Sequence, residues 1–343
     1  MSDESGREAA SEGPPGDAGD LADEPLVVTV PPALAGVRFD KAAATLFPDH
    51  SRSELTRWIG DGQLVLDGQP SKPRTKLNGG EQLTLLAQRT RREAWQAPQS
   101  MPLDILFEDE DVLVLNKASG VVVHPGAGNP DGTLVNGLLN YRPELTQLPR
   151  AGVVHRLDKD TSGVMVVAAS QRAQLALTQM IAEREVTRMY HAVCETRLVA
   201  GKDIDAPIGR DPHVRTRQAI RDDGKPAYTQ VRVEARYRTH TLVRAHLHTG
   251  RTHQIRVHLQ SIGAPLVGDR RYGSRGRVPA AATADLRDTL QNFPRQALHA
   301  SELEFTHPGN GEWLAFVAPW PDDFAQLVSA LETDTQQFAE SSS

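Results

Sequence analysis

Nine residues near the middle of the chain, His155-Arg156-Leu157-Asp158-Lys159-Asp160-Thr161-Ser162-Gly163, combine groups suited to carboxylate chemistry. They follow the apolar Ala151-Gly152-Val153-Val154 and precede the apolar run Val164 to Ala168. Asp158 therefore falls in a turn between two strand-like segments, with cations nearby at Arg156 and Lys159. Such a setting can hold a carboxylate ionised and rigid in a cleft. A carboxylate so held can attack carbon as a nucleophile or remove a proton as a base. A lone loop Asp more often caps a turn, so the flanking residues carry the reading. Arg156 has an equally plain role open to it, a surface salt bridge to Asp160. An extended path would fix its direction relative to Asp158 by strand alternation, but the turn leaves that open.

Other candidate chemistry is weaker. Tyr190, in Thr187-Arg188-Met189-Tyr190-His191-Ala192-Val193, offers an apolar face and a polar tip, and a strand tyrosine packed in the core is the bland alternative. His246, His248, His253 and His258 are spaced 2, 5 and 5 residues apart. His253 and His258 miss the i,i+4 spacing that puts two metal ligands on one helix face, and no Cys or carboxylate set accompanies them. No metal is expected at these histidines. Gly126-Ala127-Gly128 with Gly132 misses the dinucleotide-binding spacing. Ser162 is not in a nucleophile elbow. The single cysteine, Cys194, lies in an apparent strand and reads as core filler. One cysteine allows no disulfide within the chain, which suits a reducing compartment.

Taken together, the motifs resemble the RluA/RluD family of RNA pseudouridine synthases. The nine-residue loop matches that family's signature position for position, and the Tyr190 stretch resembles its second motif. Leu247-His248-Thr249-Gly250-Arg251-Thr252-His253-Gln254-Ile255-Arg256-Val257-His258 resembles the third, in which a strand, a tight glycine turn and a helix follow one another. Asn116-Lys117, the His124-Pro125-Gly126 loop, Leu266 to Gly273 and Arg295 to Ala300 extend the likeness over nearly the whole chain that is expected to be ordered. The resemblance implies an isomerase, without cofactor, that cuts the N-glycosidic bond of uridine, turns the uracil and rejoins C5 to C1′. It implies Asp158 as the indispensable group, Tyr190 against the flipped uracil or taking the C5 proton, and Leu247 lining the uracil pocket. It assigns a basic partner of the carboxylate to Arg256, with Arg251 as second choice, either of which would keep Asp158 ionised. Arg156 would enter the stack vacated by the flipped base, where a planar guanidinium offsets part of the unstacking cost. The His124 loop, which resembles the RluD branch, would lie near the cleft. The implied target is 23S rRNA or a pre-50S particle, at the helix 69 stem-loop. A non-catalytic RNA-binding or ribosome-assembly protein on the same fold is the alternative.

The elements that must position these groups fall into two domains. Residues 1–24 carry eight acids against Arg7 alone, a net −7 that leaves the remaining chain of this −6 protein near +1. That segment is expected to be a disordered acidic tail, and the polar residues 332–343 a second one. The near-neutral remainder argues against a binder that relies on phosphate neutralisation alone. Residues 25–88 read as a small α+β domain: a strand over Leu26 to Val30, a helix face of Phe39, Ala42, Ala43, Ala44 and Leu46, a helix capped by Ser51 or Ser53, and strands at Leu64–Leu66 and Gln82–Leu86. It resembles an S4 RNA-binding domain, with Arg52, Arg57, Lys72, Arg74 and Lys76 as the implied contacts. A linker covers 89–102. In residues 103–331 many strand signals come in runs without regular helical crossovers, which predicts an α+β fold with a large mixed or antiparallel sheet. Strands are expected at Ile105–Phe107, Val112–Asn116, Val121–His124, Val164–Ala168, Val186–Val193, Ala227–Tyr237, Thr241–His248 and Leu303–Thr306. Helices are expected at Leu134–Leu139, Gln171–Glu183, His253–Ile262 and Phe324–Leu331. No segment approaches 18 uninterrupted apolar residues, and the acidic N-terminus does not resemble a signal peptide. A cytoplasmic monomer is the expectation.

Overall fold

The computed structural model describes residues 25–47, 52–86, 97–126, 129–214, 216–273 and 277–341. The acidic segment 1–24, the Ser51 and Ser53 caps and linker residues 89–96 lie outside the described positions and side chains. The chain divides into two units, Met1–Glu93 and Ala94–Ser343.

In the first unit, strands β1 (Leu26–Thr29), β2 (Leu64–Leu66) and β3 (Gln82–Leu85) form an antiparallel sheet in the order β1-β3-β2. Helices α1 (Phe39–Leu46) and α2 (Arg52–Gly60) bury Phe39, Ala42, Ala43, Leu55 and Ile59 against Leu64, Leu83 and Leu85. Beyond β2, Asp67 and Gly68 both take positive φ, 48° and 73°, closing a two-residue turn whose backbone twist suits a hairpin. Asp40, 4% exposed, is held by Arg38 and Arg52.

The second unit is built on a nine-stranded mixed sheet. Its strands are β4 (Asp104–Glu108), β5 (Val112–Lys117), β6 (Ser162–Ala168), β7 (Thr187–Cys194), β8 (Lys202–Asp205), β11 (Tyr228–Arg236), β12 (Thr241–Leu247), β13 (Leu298–Thr306) and β14 (Trp313–Val317). They run in the order β4-β5-β6-β13-β7-β12-β11-β8, with β14 beside the outer half of β13. β9 (Ile208–Arg210) and β10 (Gln218–Ile220) pair separately. Helices α3 (Leu134–Tyr141), α4 (Gln171–Glu183), α5 (Gln254–Ser261), α6 (Ala284–Asn292) and α7 (Asp322–Ser341) complete the unit. α4 begins where Ser170 Oγ accepts from Ala173 N at 3.1 Å and ends at Arg184 in the left-handed region.

β6 is buried along its whole length, and its contact with β13 is the sheet's parallel pairing. There the two backbones approach so closely that a side chain on Gly163, at φ +119°, would overlap the Ala300 carbonyl. This seam joins β4-β5-β6 to the rest of the sheet, and the loop holding Asp158 enters β6 immediately before it.

Two expectations are corrected. Val121 to His124 is not a strand. Its carbonyls are taken by the Lys117 ammonium, at Val121, and by the amides of Leu134 and Val135, at Val122 and Val123, so no neighbouring strand is needed. The polar stretch beyond Thr333 continues α7 to Ser341 rather than forming a tail. Asp334, 2% exposed, receives Arg238 Nε at 2.8 Å and Thr283 N at 2.9 Å, and the Arg238 guanidinium lies 4.3 Å from the centre of the Phe338 ring. Polar composition hid a helix held by a buried ion pair.

His299 and His240, 0% and 1% exposed, are both pushed down to about pKa 4 by burial. The unfolded chain, near 6.5, then binds protons that the fold rejects. Stability should be complete above about pH 6.5 and fall as pH drops toward 4, by ~1.4 kcal/mol per pH unit per histidine. Urea unfolding at pH 6.5, 5.5 and 4.5 reads this directly, and an unchanged midpoint would contradict it.

Candidate active site

The Asp158 loop is fixed from two sides. On one, the buried Lys117 ammonium donates to the carbonyls of Ala118, Val121 and Lys159 at 2.8, 2.9 and 3.1 Å, and Gly120 N reaches Lys159 O as well. Burial pushes the Lys117 pKa down to about 7, against the pull of Asp160 and Asp158. On the other, Arg295 Nη1 reaches Asp160 O at 3.2 Å, Gln296 Nε2 reaches Thr161 Oγ1 at 3.1 Å, and Ser162 Oγ bonds His299 Nδ1 at 2.9 Å. Thr161 N closes the turn onto Asp158 O. Leu157, 3% exposed, packs in the core cluster and, with its neighbours Arg156 and Asp158, lines an open cavity.

Arg256, on α5, donates from Nη1 to Asp158 Oδ2 at 3.0 Å. Its Nε and Nη2 grip Asp269 Oδ2 and Oδ1 at 2.7 and 2.9 Å. The Asp269 side chain is 0% exposed and also accepts from the amides of Arg271 and Tyr272. Burial works against the charges of Arg256 and Asp269, but their mutual hydrogen bonds raise the Arg256 pKa and lower that of Asp269. The guanidinium lies 5.0 Å from the centre of the Tyr272 ring, whose hydroxyl bonds His253 Nδ1 and accepts from Gln218 N, each at 2.7 Å. Arg256 is thus the partner of Asp158. Arg251, the second choice, donates from Nε to Pro226 O instead.

Asp158 Oδ1 carries no partner among the described residues, and it belongs to a side chain 17% exposed at the cavity. The cavity walls combine the apolar Leu157, Tyr190, Leu247, Ile255 and Leu298 with the polar Thr161, Arg251, His253 and Gln254. Burial pushes the Tyr190 phenol up to about 12, so it is protonated at neutral pH. Asp158 also borders a larger groove edged by His124, Arg156, Lys159, Arg270 and Arg271. Arg156 forms no salt bridge to Asp160 or to any other described carboxylate, which leaves it free at the junction of cavity and groove. His124 is pushed down to about 4 by burial and by Arg150 and Arg156, so it faces the groove neutral. A carboxylate with one anchored and one unpaired oxygen, beside a slot of mixed apolar and polar lining and a cationic groove, can act on the sugar of a nucleotide whose base enters the slot.

Asp269 and Lys117 went unassigned in the sequence reading, although both stood within quoted stretches. Gly268 was the available signal. A side chain there, at φ +70°, would overlap Arg295 O, so the backbone turns tightly and brings Asp269 to Arg256. His246 and His248 pack as a tilted pair with ring centres 4.0 Å apart, and His258 bonds Thr229 Oγ1 and Ala206 O. Among the described residues no group of three or more His, Cys, Asp or Glu could hold a metal ion. Cys194 is fully buried with its thiol pushed up to about 12 by burial, an inert core position. In the first unit Arg57, Lys72, Arg74 and Lys76 are exposed, whereas the half-exposed Arg52 is occupied by Asp40. No helix among the described residues is long and apolar enough to cross a membrane.

Arg256→Met would strand the Asp269 carboxylate and should cost roughly 3–5 kcal/mol. Asp158→Asn, at the cavity edge, should change stability by about 1 kcal/mol or less. Urea unfolding of both variants tests this, and an Arg256→Met protein as stable as the parent would contradict it.

Residues 111–261 match the family model described as RNA pseudouridylate synthase. The chain is 49% identical to ribosomal large subunit pseudouridine synthase D of Vibrio parahaemolyticus, over 91% of this chain and 96% of that protein. It is 50% identical to the protein of the same name from Xanthomonas campestris pv. campestris, over 94% and 98%. Among solved structures, human RNA pseudouridylate synthase domain containing 4 superposes with a TM-score of 0.52 at 26% identity, covering 67% of this chain and 93% of the human one. Motifs, fold and relatives agree: the chain belongs to the RluA/RluD family of RNA pseudouridine synthases and is an enzyme that isomerises uridine in RNA.

Proposed function

We propose that this enzyme converts uridine to pseudouridine in 23S rRNA, at the helix 69 stem-loop, acting as a cytoplasmic monomer on the rRNA or a pre-50S particle. The names of its relatives support a large-subunit substrate. The observation that carries the chemistry is Asp158 itself, with Oδ2 held by Arg256 and Oδ1 unpaired, in a slot walled by Tyr190 and Leu247.

In this reading the target nucleotide leaves the RNA stack and its uracil lies in the slot against Tyr190 and Leu247. Unstacking costs a few kcal/mol, and Arg156, which has no competing ion pair, offsets part of it by stacking where the base had been. Asp158 Oδ1 then meets the ribose, at C1′ as nucleophile or at the C2′ proton as base. Arg256 and Asp269 keep the carboxylate aimed. Arg251, His124 and the groove cations track the phosphates around the flipped nucleotide. Arg52, Arg57, Lys72, Arg74 and Lys76 present the first unit to structured RNA, where shape is read as much as sequence. Arg52 does so with its charge shared with Asp40.

Asp158→Asn should abolish pseudouridine formation, while RNA affinity stays within a few-fold of the parent. Mapping pseudouridine in 23S rRNA from cells with and without the protein should show loss at helix 69. Loss elsewhere would move the target. No loss at all would favour an RNA-binding protein that merely shares the fold, and a fully active Asp158→Asn enzyme would overturn the role given to Asp158.

A further inference from the structure

Three arginines are buried among the described residues: Arg188, Arg256 and Arg295. Arg256 is neutralised by Asp269 and Asp158, and Arg295 by Asp323. Arg188, 5% exposed, has no carboxylate partner among the described residues. Its one hydrogen bond is a long contact from Nη2 to the His248 carbonyl at 3.5 Å, and its buried Nε has none. A buried guanidinium in this state lowers the stability of the fold, because desolvation is not matched by an anion.

Its position relates it to the slot. On β7, Arg188 precedes Tyr190 by two residues and so shares its face. Tyr190 stands opposite Ala245 on β12, and one further step of that register sets Arg188 beside Leu247. A side chain on Gly250 would come 3.2 Å from Arg188 Nη1, so the guanidinium lies under the turn between Leu247 and Arg251. Tyr190, Leu247 and Arg251 all line the slot, and Arg188 sits behind them without lining it. The titratable side chains that feel its charge are His155, His246, His248 and Tyr190, none of them an anion at neutral pH.

We propose that Arg188 is the stored counter-charge for the uracil anion formed in the slot. When N1–C1′ breaks, its electron pair stays on the ring and spreads over O2 and O4. When C5 bonds to C1′, the ring gives up the C5 proton to water and N1 takes one from water, so the base ends neutral and Arg188 is unchanged. A fixed positive charge that is itself buried stabilises charge that exists only during turnover. The cation is therefore unsatisfied in the resting protein. This inference rests on the isomerase reading of the Asp158 site.

The test compares Arg188→Met, which keeps the volume and removes the charge, with Arg188→Lys, which keeps the charge. Single-turnover rates are measured on a saturating, unmodified 23S rRNA transcript, beside RNA affinity and thermal midpoint. The expected result for Arg188→Met is a rate lower by roughly 100-fold, RNA affinity within about threefold, and a midpoint equal to or above the parent. Arg188→Lys should recover the rate to within about tenfold. An Arg188→Met rate within threefold of the parent would overturn the proposal. So would a rate loss that tracks a lowered midpoint, or an Arg188→Lys enzyme as slow as Arg188→Met. An inactive parent enzyme would instead sink the substrate reading.

Discussion

One guanidinium shared between two carboxylates organises this site. Arg256 spends two of its nitrogens on Asp269, which is fully buried and capped by two further amides, and has one left for Asp158. Buried ion pairs contribute little net stability when compared with apolar packing, but once made they are costly to break. Asp269 therefore fixes Arg256, and Arg256 fixes one oxygen of Asp158 and leaves the other open. The glycine turn at Gly268 and the helix α5 bring the two ends of this arrangement together across 13 residues of sequence.

The sheet supplies the complementary constraint. At the seam of β6 and β13, Gly163 and Ala300 approach too closely for any side chain, and the residues just before it are tied to Arg295, Gln296 and His299. Lys117 ties the other flank through three carbonyls. A loop anchored at both ends cannot swing its carboxylate away from the slot. The slot presents Tyr190, Leu247 and Leu298 beside the carboxylate, and the neighbouring groove presents His124, Arg156, Lys159, Arg270 and Arg271.

Much of this was legible in the sequence because local pattern and tertiary role coincide. Gln171–Glu183 was read to the residue, since its apolar face and its Ser170 cap lie within one segment. Asp158, Tyr190, Leu247 and Arg256 were readable as motif residues, and the fold brings them to one cavity. What was missed depends on long-range partners. Asp269 is meaningful only beside Arg256, and Lys117 only beside the Lys159 carbonyl. The Val121–His124 stretch has strand composition but gives its carbonyls to a lysine and a helix N-terminus. The last two turns of α7 look like a polar tail until Asp334 meets Arg238. β8, β9, β10, β14 and α6 are too short or too polar to stand out by periodicity.

Arg256→Lys tests the central geometry most directly. Lysine keeps one positive charge but cannot grip Asp269 with two nitrogens and hold Asp158 with a third. At a temperature where circular dichroism reports a folded protein, its single-turnover rate on saturating RNA should fall by on the order of 100-fold, with RNA affinity nearly unchanged. A folded Arg256→Lys enzyme that isomerises uridine at the parent rate would show that charge alone suffices and that the shared guanidinium does not aim the carboxylate.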